Sequence, residues 1–405
     1  MIGLYMHVPY CTVRCSYCDF YLVRLGGRDP APFVEALCGE IQSTEGALRG
    51  RPVDTVHFGG GTPSLLPAAT LGRILAAVGE SFPLMPGAEV ALEANPEDVS
   101  EGMLLGWKAA GVNRVAIGVQ SLDDRLLSAL GRPHGAARAL AAVEIAARSG
   151  LQSVGADLIL GLPEQSGEEV LGSLRRLLDA GADHLSLYVL EVHDRTRLGR
   201  QRALGRLTLP DDEPVADLYE AASELLVGKG FDHYEISNFA RPGRRSRHNL
   251  KYWSDEEYLG FGPSAHSYVA GARWANASDL PGYLACRGRG VRREQDTQPR
   301  GVRGLEALAA GLRLAEGVDL DRLRARYGSL LPPADDGRIG DLLEAGLVEV
   351  SGGRLRLTRR GRLLSNEVLV RLFPDSHRAP ADQPGTQQPP NGAAGVGISA
   401  RTRSA

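Results

Sequence analysis

HVPYCTVRCSYCDFYLV, residues 7–23, decides how the rest of the chain is read. Cys11, Cys15 and Cys18 stand with three and then two residues between them, directly after the short apolar run LYMHVP. Thiolates in such a loop point to an iron–sulfur cluster or to zinc. A zinc site would need a fourth ligand, for which His7 is the obvious candidate, but His7 lies inside the apolar run, four residues before Cys11. A 4Fe-4S cluster held by three thiolates leaves one iron without a protein ligand, and an open iron is a docking point for a substrate. The other two cysteines, Cys38 and Cys286, stand apart and read as packed thiols. Five thiols, three of them in one loop, suit a metal or redox site in a reducing compartment better than a disulfide framework.

Further apolar runs follow the first: TVHFGGG, EVALEANP, RVAIGVQ, VGADLILGLP and HLSLYVL. Between them lie stretches such as LGRILAAVGESF and GEEVLGSLRRLLDAG, with apolar residues at three- and four-residue spacing. Strands alternating with helices imply a parallel sheet with helical crossovers, and both an open doubly wound sheet and a full or partial barrel satisfy that order. The polar residues favour the barrel. The cysteine loop, Gly59–Thr62, Glu93 with Asn95, and Gln120 fall at or near a strand end, and Asp157 sits within the fifth run. A barrel of parallel strands gathers such positions at one mouth.

The 405 residues, 43% hydrophobic and 23% charged, allow a large core and more than one unit. A net charge of -3 gives no general attraction to nucleic acid or anionic membrane. No apolar run approaches the roughly 20 residues of a membrane helix, and MIGLYMHVPYC lacks the marks of a secretion signal, so a cytoplasmic protein is expected. The divisions expected are a barrel over 1–190, an elaboration over 191–300, a small winged-helix-like α+β unit over 301–373 with LVEVSGGRLRLT as a hairpin, and a disordered Pro- and Gly-rich tail over 374–405.

CxxxCxxC after a first strand and GGGTP after a second resemble the radical S-adenosylmethionine (SAM) superfamily. That resemblance implies a partial (β/α)6 barrel, a 4Fe-4S cluster on Cys11, Cys15 and Cys18, and SAM on the open iron, whose sulfonium bond the reduced cluster breaks. Motif order through EANP, GVQSL, ADLILGLP and HNLKYW is similar to the oxygen-independent coproporphyrinogen III oxidase family over almost the whole chain. On that likeness Tyr5, Tyr17, Gly60, Gly61, Thr62, Glu93, Gln120, Arg132 and Asp157 are the expected SAM-binding residues. Glycines let the backbone approach a ligand closely, and a carboxylate can accept from an amine or a ribose hydroxyl. His7 and His57, within strands, read as packing residues.

The oxidase branch carries a further cysteine two positions after the third, where this chain has Phe20, and its pocket is completed by an N-terminal extension for which no room is expected before residue 11. CxxxCxYCDF and HNxxYW instead resemble the radical SAM heme chaperones of the HemW type. That resemblance implies heme bound at His248, Asn249, Tyr252 and Trp253. Histidine is a common axial ligand and aromatics can cover a porphyrin. Arg241, Arg244, Arg245 and Arg247 could pair with propionates. The expected activity is heme binding and transfer to an acceptor among membrane respiratory enzymes, with an electron donor for the cluster, peripheral membrane contact and no catalytic residue. The alternative is oxidative decarboxylation of coproporphyrinogen III. A nucleic-acid role for Arg354, Arg356, Arg359, Arg360 and Arg362 is not expected, because arginines in an alternating hairpin commonly form its solvated face.

Overall fold

A computed structural model describes residues 1–291, 293–296, 298–328 and 336–373. The expected tail, 374–405, lies outside the described residues. Six parallel strands form the centre: β1 (Ile2–Val8), β2 (Val53–Gly60), β3 (Leu84–Ala94), β4 (Arg114–Gln120), β5 (Ser153–Leu160) and β6 (His184–Val189). The sheet continues at both ends. β7 (Asp232–His233) and β8 (Asn238–Ala240) run antiparallel beyond β6. On the other side β9 (Tyr258–Phe261) pairs parallel to β1, followed by the antiparallel β10 (His266–Val269), β11 (Ala272–Asn276) and β12 (Arg293–Asp296). The expected partial barrel, with a smaller C-terminal α+β unit, is therefore the observed fold.

Strand alternation explains how one sequence builds both a core and a pocket. In β1, Ile2, Leu4, Met6 and Val8 join the main hydrophobic core against the helices, while Gly3, Tyr5 and His7 point the other way. Register then stacks the inward residues in layers: Gly3 beside Thr55, Tyr5 beside His57, His7 beside Gly59. Glu89, Ala91 and Glu93 of β3 follow the same parity. Barrel interiors of this kind are commonly filled by branched aliphatic residues; here small and polar residues alternate, so the interior can hold charge and leave space at the mouth.

The crossover helices seal the outside. In α2 (Ala68–Ser81), Leu71, Ile74, Leu75 and Val78 form one buried stripe. α3 (Glu101–Ala110) starts on Ser100, whose hydroxyl accepts from Met103 N, and ends at Gly111 in the left-handed region. α6 (Gly167–Asp179) carries a reciprocal capping box between Ser166 and Glu169. The long helical pattern after β4 breaks into Asp124–Leu130 and Ala136–Arg148, because Gly131 (φ 74°) and Pro133 end the first. A second core, containing Leu308, Leu342, Leu355 and Val368, belongs to the C-terminal unit. Four of its five clustered arginines have partners within the protein. Arg354 and Arg356 donate to the Glu316 carbonyl, Arg359 pairs with Glu220 and Glu224, and Arg362 meets His233.

Candidate functional site

The C-terminal ends of the six strands open on one cavity enclosing about 1380 Å³ of space, open mouth included. Its upper wall is the cysteine loop, which contributes Cys11, Cys15, Tyr17 and Cys18. Backbone bonds fix that loop on three sides. Val23 N donates to the Pro9 carbonyl and Leu25 N to the Cys11 carbonyl; Ser16 N donates to the Leu130 carbonyl; Leu198 N donates to the Ser16 carbonyl. The Cys11 thiol lies 3.2 Å from Thr62 Oγ1, and Arg132 Nη1 lies 3.5 Å from Cys15 Sγ.

Gly59–Gly61 form the cradle beneath the loop. A Cβ on Gly61 would stand 2.6 Å from the Tyr10 carbonyl oxygen, and one on Gly60 (φ 106°) would stand 2.6 Å from the His7 ring. Only glycine lets β2 run this close to the loop. Gly61 N and Thr62 N then donate to the Val8 and Tyr10 carbonyls, both at 2.7 Å. Gln120 adopts a left-handed φ of 66° at a register shift between β4 and β5, which turns its side chain to the cavity.

The remaining wall is charged. Arg132 Nη2 donates to Asn95 Oδ1 and to the Gly118 carbonyl, both at 2.8 Å. Glu93 Oε1 sits 2.9 Å from His57 Nε2, whose ring stacks on Tyr5. Burial, reinforced by the negative charge of Glu93, pushes the Asp157 carboxyl up to about 7. Tyr5 itself lies one layer beneath the cavity, its hydroxyl 3.3 Å from His7 Nδ1. Asn95, Tyr188 and His193 also line the wall and were not among the expected ligands. Tyr188 is legible in hindsight, because it shares inward parity with His184 and Ser186 on β6.

These residues suit an iron–sulfur cluster better than zinc. His7 is committed elsewhere, with Nε2 3.0 Å from the Tyr21 carbonyl and Nδ1 against Tyr5. Thiols spread along a loop fit separate irons of one cluster. The glycine cradle, Glu93 and Asp157 provide backbone and carboxylate acceptors for a cationic amino-acid derivative below it.

The Radical SAM superfamily profile matches residues 5–177, and the HemN C-terminal domain profile matches 299–364. A heme chaperone HemW of Mycobacterium tuberculosis is 39% identical over 377 residues, spanning 92% of this chain and 94% of that one. The chain belongs to the HemW family of radical SAM proteins. The HemW of Bacillus subtilis is 36% identical, over 91% of this chain and 98% of its own. Coproporphyrinogen III oxidase (HemN) of Escherichia coli shares the fold, with a TM-score of 0.78 at 24% identity over 92% of this chain and 90% of that one.

The HemW-type segment HNLKYW takes a different place from the cavity. It forms α9 (Arg247–Trp253; the intervening helices are α7, Arg197–Ala203, and α8, Asp212–Gly228), which closes the opposite, N-terminal end of the barrel. His248 is 0% exposed, and its ring nitrogens lie 2.8 Å from Thr55 Oγ1 and 2.8 Å from Tyr252 Oη. Trp253 is 2% exposed. Asn249 sits in the helix's first turn, its N–H donating to Ser246 Oγ. The helix is polar because its partners are. Glu89 accepts from Arg247 N and His248 N, and Lys251 pairs with Asp54. The neighbouring arginines are also engaged: Arg244 with the Gln152 carbonyl, Arg245 with Asp232 and Glu316, Arg247 with the Gly87 carbonyl, and Arg241 over the Phe231 ring. In this arrangement the segment forms the barrel floor, with His248, Tyr252 and Trp253 buried and Asn249 half-buried.

Proposed function

We propose that this protein binds heme and passes it to an acceptor protein, with a 4Fe-4S cluster and SAM held in the barrel mouth. Membership of the HemW family supports the heme part. The observation that carries the choice over an oxidase is Phe20: where a fourth thiol would stand, the cysteine loop turns a phenyl ring to the cavity edge.

Cys11, Cys15 and Cys18 would each give a thiolate to one iron. Gly60, Gly61 and Thr62 would hold the amino-acid end of SAM, Glu93 and Asp157 would accept from its amine or ribose hydroxyls, and Gln120, Arg132 and Tyr17 would line its remaining length. When bound, the cluster and SAM supply one-electron reductive chemistry at a sulfonium. His57 keeps the Glu93 carboxylate aimed into the cavity, and Arg132 stays 3.5 Å from the Cys15 sulfur. The acceptor proposed is a respiratory enzyme at the membrane, reached by peripheral contact; no helix among the described residues is long and apolar enough to cross a membrane.

Anaerobic iron–sulfur reconstitution followed by heme titration, watched by absorbance, tests the reading. The parent binds both; Cys15→Ala forms no cluster. Consumption of coproporphyrinogen III with matching release of 5'-deoxyadenosine would instead establish the oxidase.

A further inference from the structure

Eleven large apolar side chains are exposed among the described residues, and two of them, Val13 (39% exposed) and Phe20 (43%), border the strand-end cavity. Both belong to the cysteine loop, on either side of the thiols. Leu22 and Leu190 continue the same apolar edge, half-buried in the cavity wall. Exposed apolar groups that converge on a cavity mouth, rather than scattering singly, mark a contact surface. Of the acidic groups beside them, Asp19 is paired with Arg195 and Glu191 lies 3.6 Å from His193. Arg14 is exposed between Val13 and Cys15, and its Nη2 donates to the Phe20 carbonyl at 3.3 Å, which holds the guanidinium alongside the phenyl's backbone.

We infer that the cavity mouth, not the HNLKYW segment, is where heme docks: the macrocycle lies on Phe20 and Val13, with its carboxylates toward Arg14. This rests on the heme-binding reading above. The geometry matches the ligand's chemistry, a broad apolar plate with acidic groups confined to one edge. Arginine pairs with carboxylates in a fork geometry, and aromatic rings favour offset contact with a flat π system. Heme seated there would roof the cavity over the three thiols. The floor helix, with His248 bonded on both nitrogens, then serves folding rather than ligation.

The test is heme titration of the reconstituted protein in five forms: parent, Phe20→Asp, Val13→Asp, Arg14→Gln and a His248→Gln comparator. Phe20→Asp and Val13→Asp are each expected to weaken heme binding at least about tenfold, with the cluster absorbance retained. Arg14→Gln is expected to weaken heme but not its dimethyl ester, in which the carboxylates are blocked. Should Phe20→Asp lose the cluster, Val13→Asp and Arg14→Gln carry the same test. Parent-like heme affinity in the variants overturns the docking site while leaving heme binding intact; a parent that binds no heme overturns the functional reading itself. Loss confined to a His248→Gln comparator would return the site to the floor helix.

Discussion

Glu89→Gln tests whether one buried carboxylate holds the barrel floor. Glu89 is buried, and its two oxygens accept three bonds: Arg114 Nε at 3.0 Å, Arg247 N at 3.1 Å and His248 N at 3.0 Å. The last two are first-turn amides of α9, which have no partner within the helix. Glutamine keeps the shape but replaces one acceptor with a donor, so either the guanidinium side or the His248 amide faces an N–H. Breaking a buried ion pair by removing one partner costs about 3–5 kcal/mol. Arg114 keeps its Nη2 bonds to the Arg244 and Arg245 carbonyls, which places the expected loss near the lower end, about 3 kcal/mol. That is a factor of roughly one hundred in the unfolding equilibrium. Urea unfolding of the metal-free protein reads the loss, and native-state hydrogen exchange localises it to the amides of Arg247 and His248. A loss below about 1 kcal/mol with unchanged protection of both amides would refute the reasoning.

Two further outcomes follow from the mouth. Gly61→Ala drives a methyl against two carbonyl oxygens, at 2.6 Å from Tyr10 and 2.9 Å from Val8, so it should lose about 1–3 kcal/mol and most of the bound iron. Parent-like iron and sulfide content would show that the loop does not need that approach. The Asp157 carboxyl, held near 7 by burial, is mostly protonated at pH 6 and mostly ionised at pH 8. If it accepts from SAM as an anion, affinity should rise about tenfold across that interval and Asp157→Asn should flatten the profile; a slope that survives in Asp157→Asn belongs to another group.

Several features of this protein are local and legible in the sequence. Cys11, Cys15 and Cys18 fall in one loop by spacing alone. GGGTP at a strand end marks a close backbone approach because only glycine tolerates it, and strand–helix alternation with polar residues at strand ends implies a barrel with one chemical mouth. Inward parity could also have been read along each strand, since side chains alternate; it would have added Tyr188 through His184 and Ser186.

HNLKYW shows where local reading stops. Its polarity and position suggest an exposed ligand-binding segment, yet the partners that bury it lie far away in sequence: Thr55 is 193 residues from His248, and Glu89 is 159. A polar helix is stable inside a protein when every donor meets an acceptor, and whether those acceptors exist is a property of the closed barrel, not of the segment. The sequence by itself determined the thiol loop, the glycine cradle and the order of strands, because each depends on neighbours a few residues away. Tertiary structure decided which histidine is walled in and which phenylalanine is left at the mouth, because burial is set by contacts between strands and helices that only folding brings together.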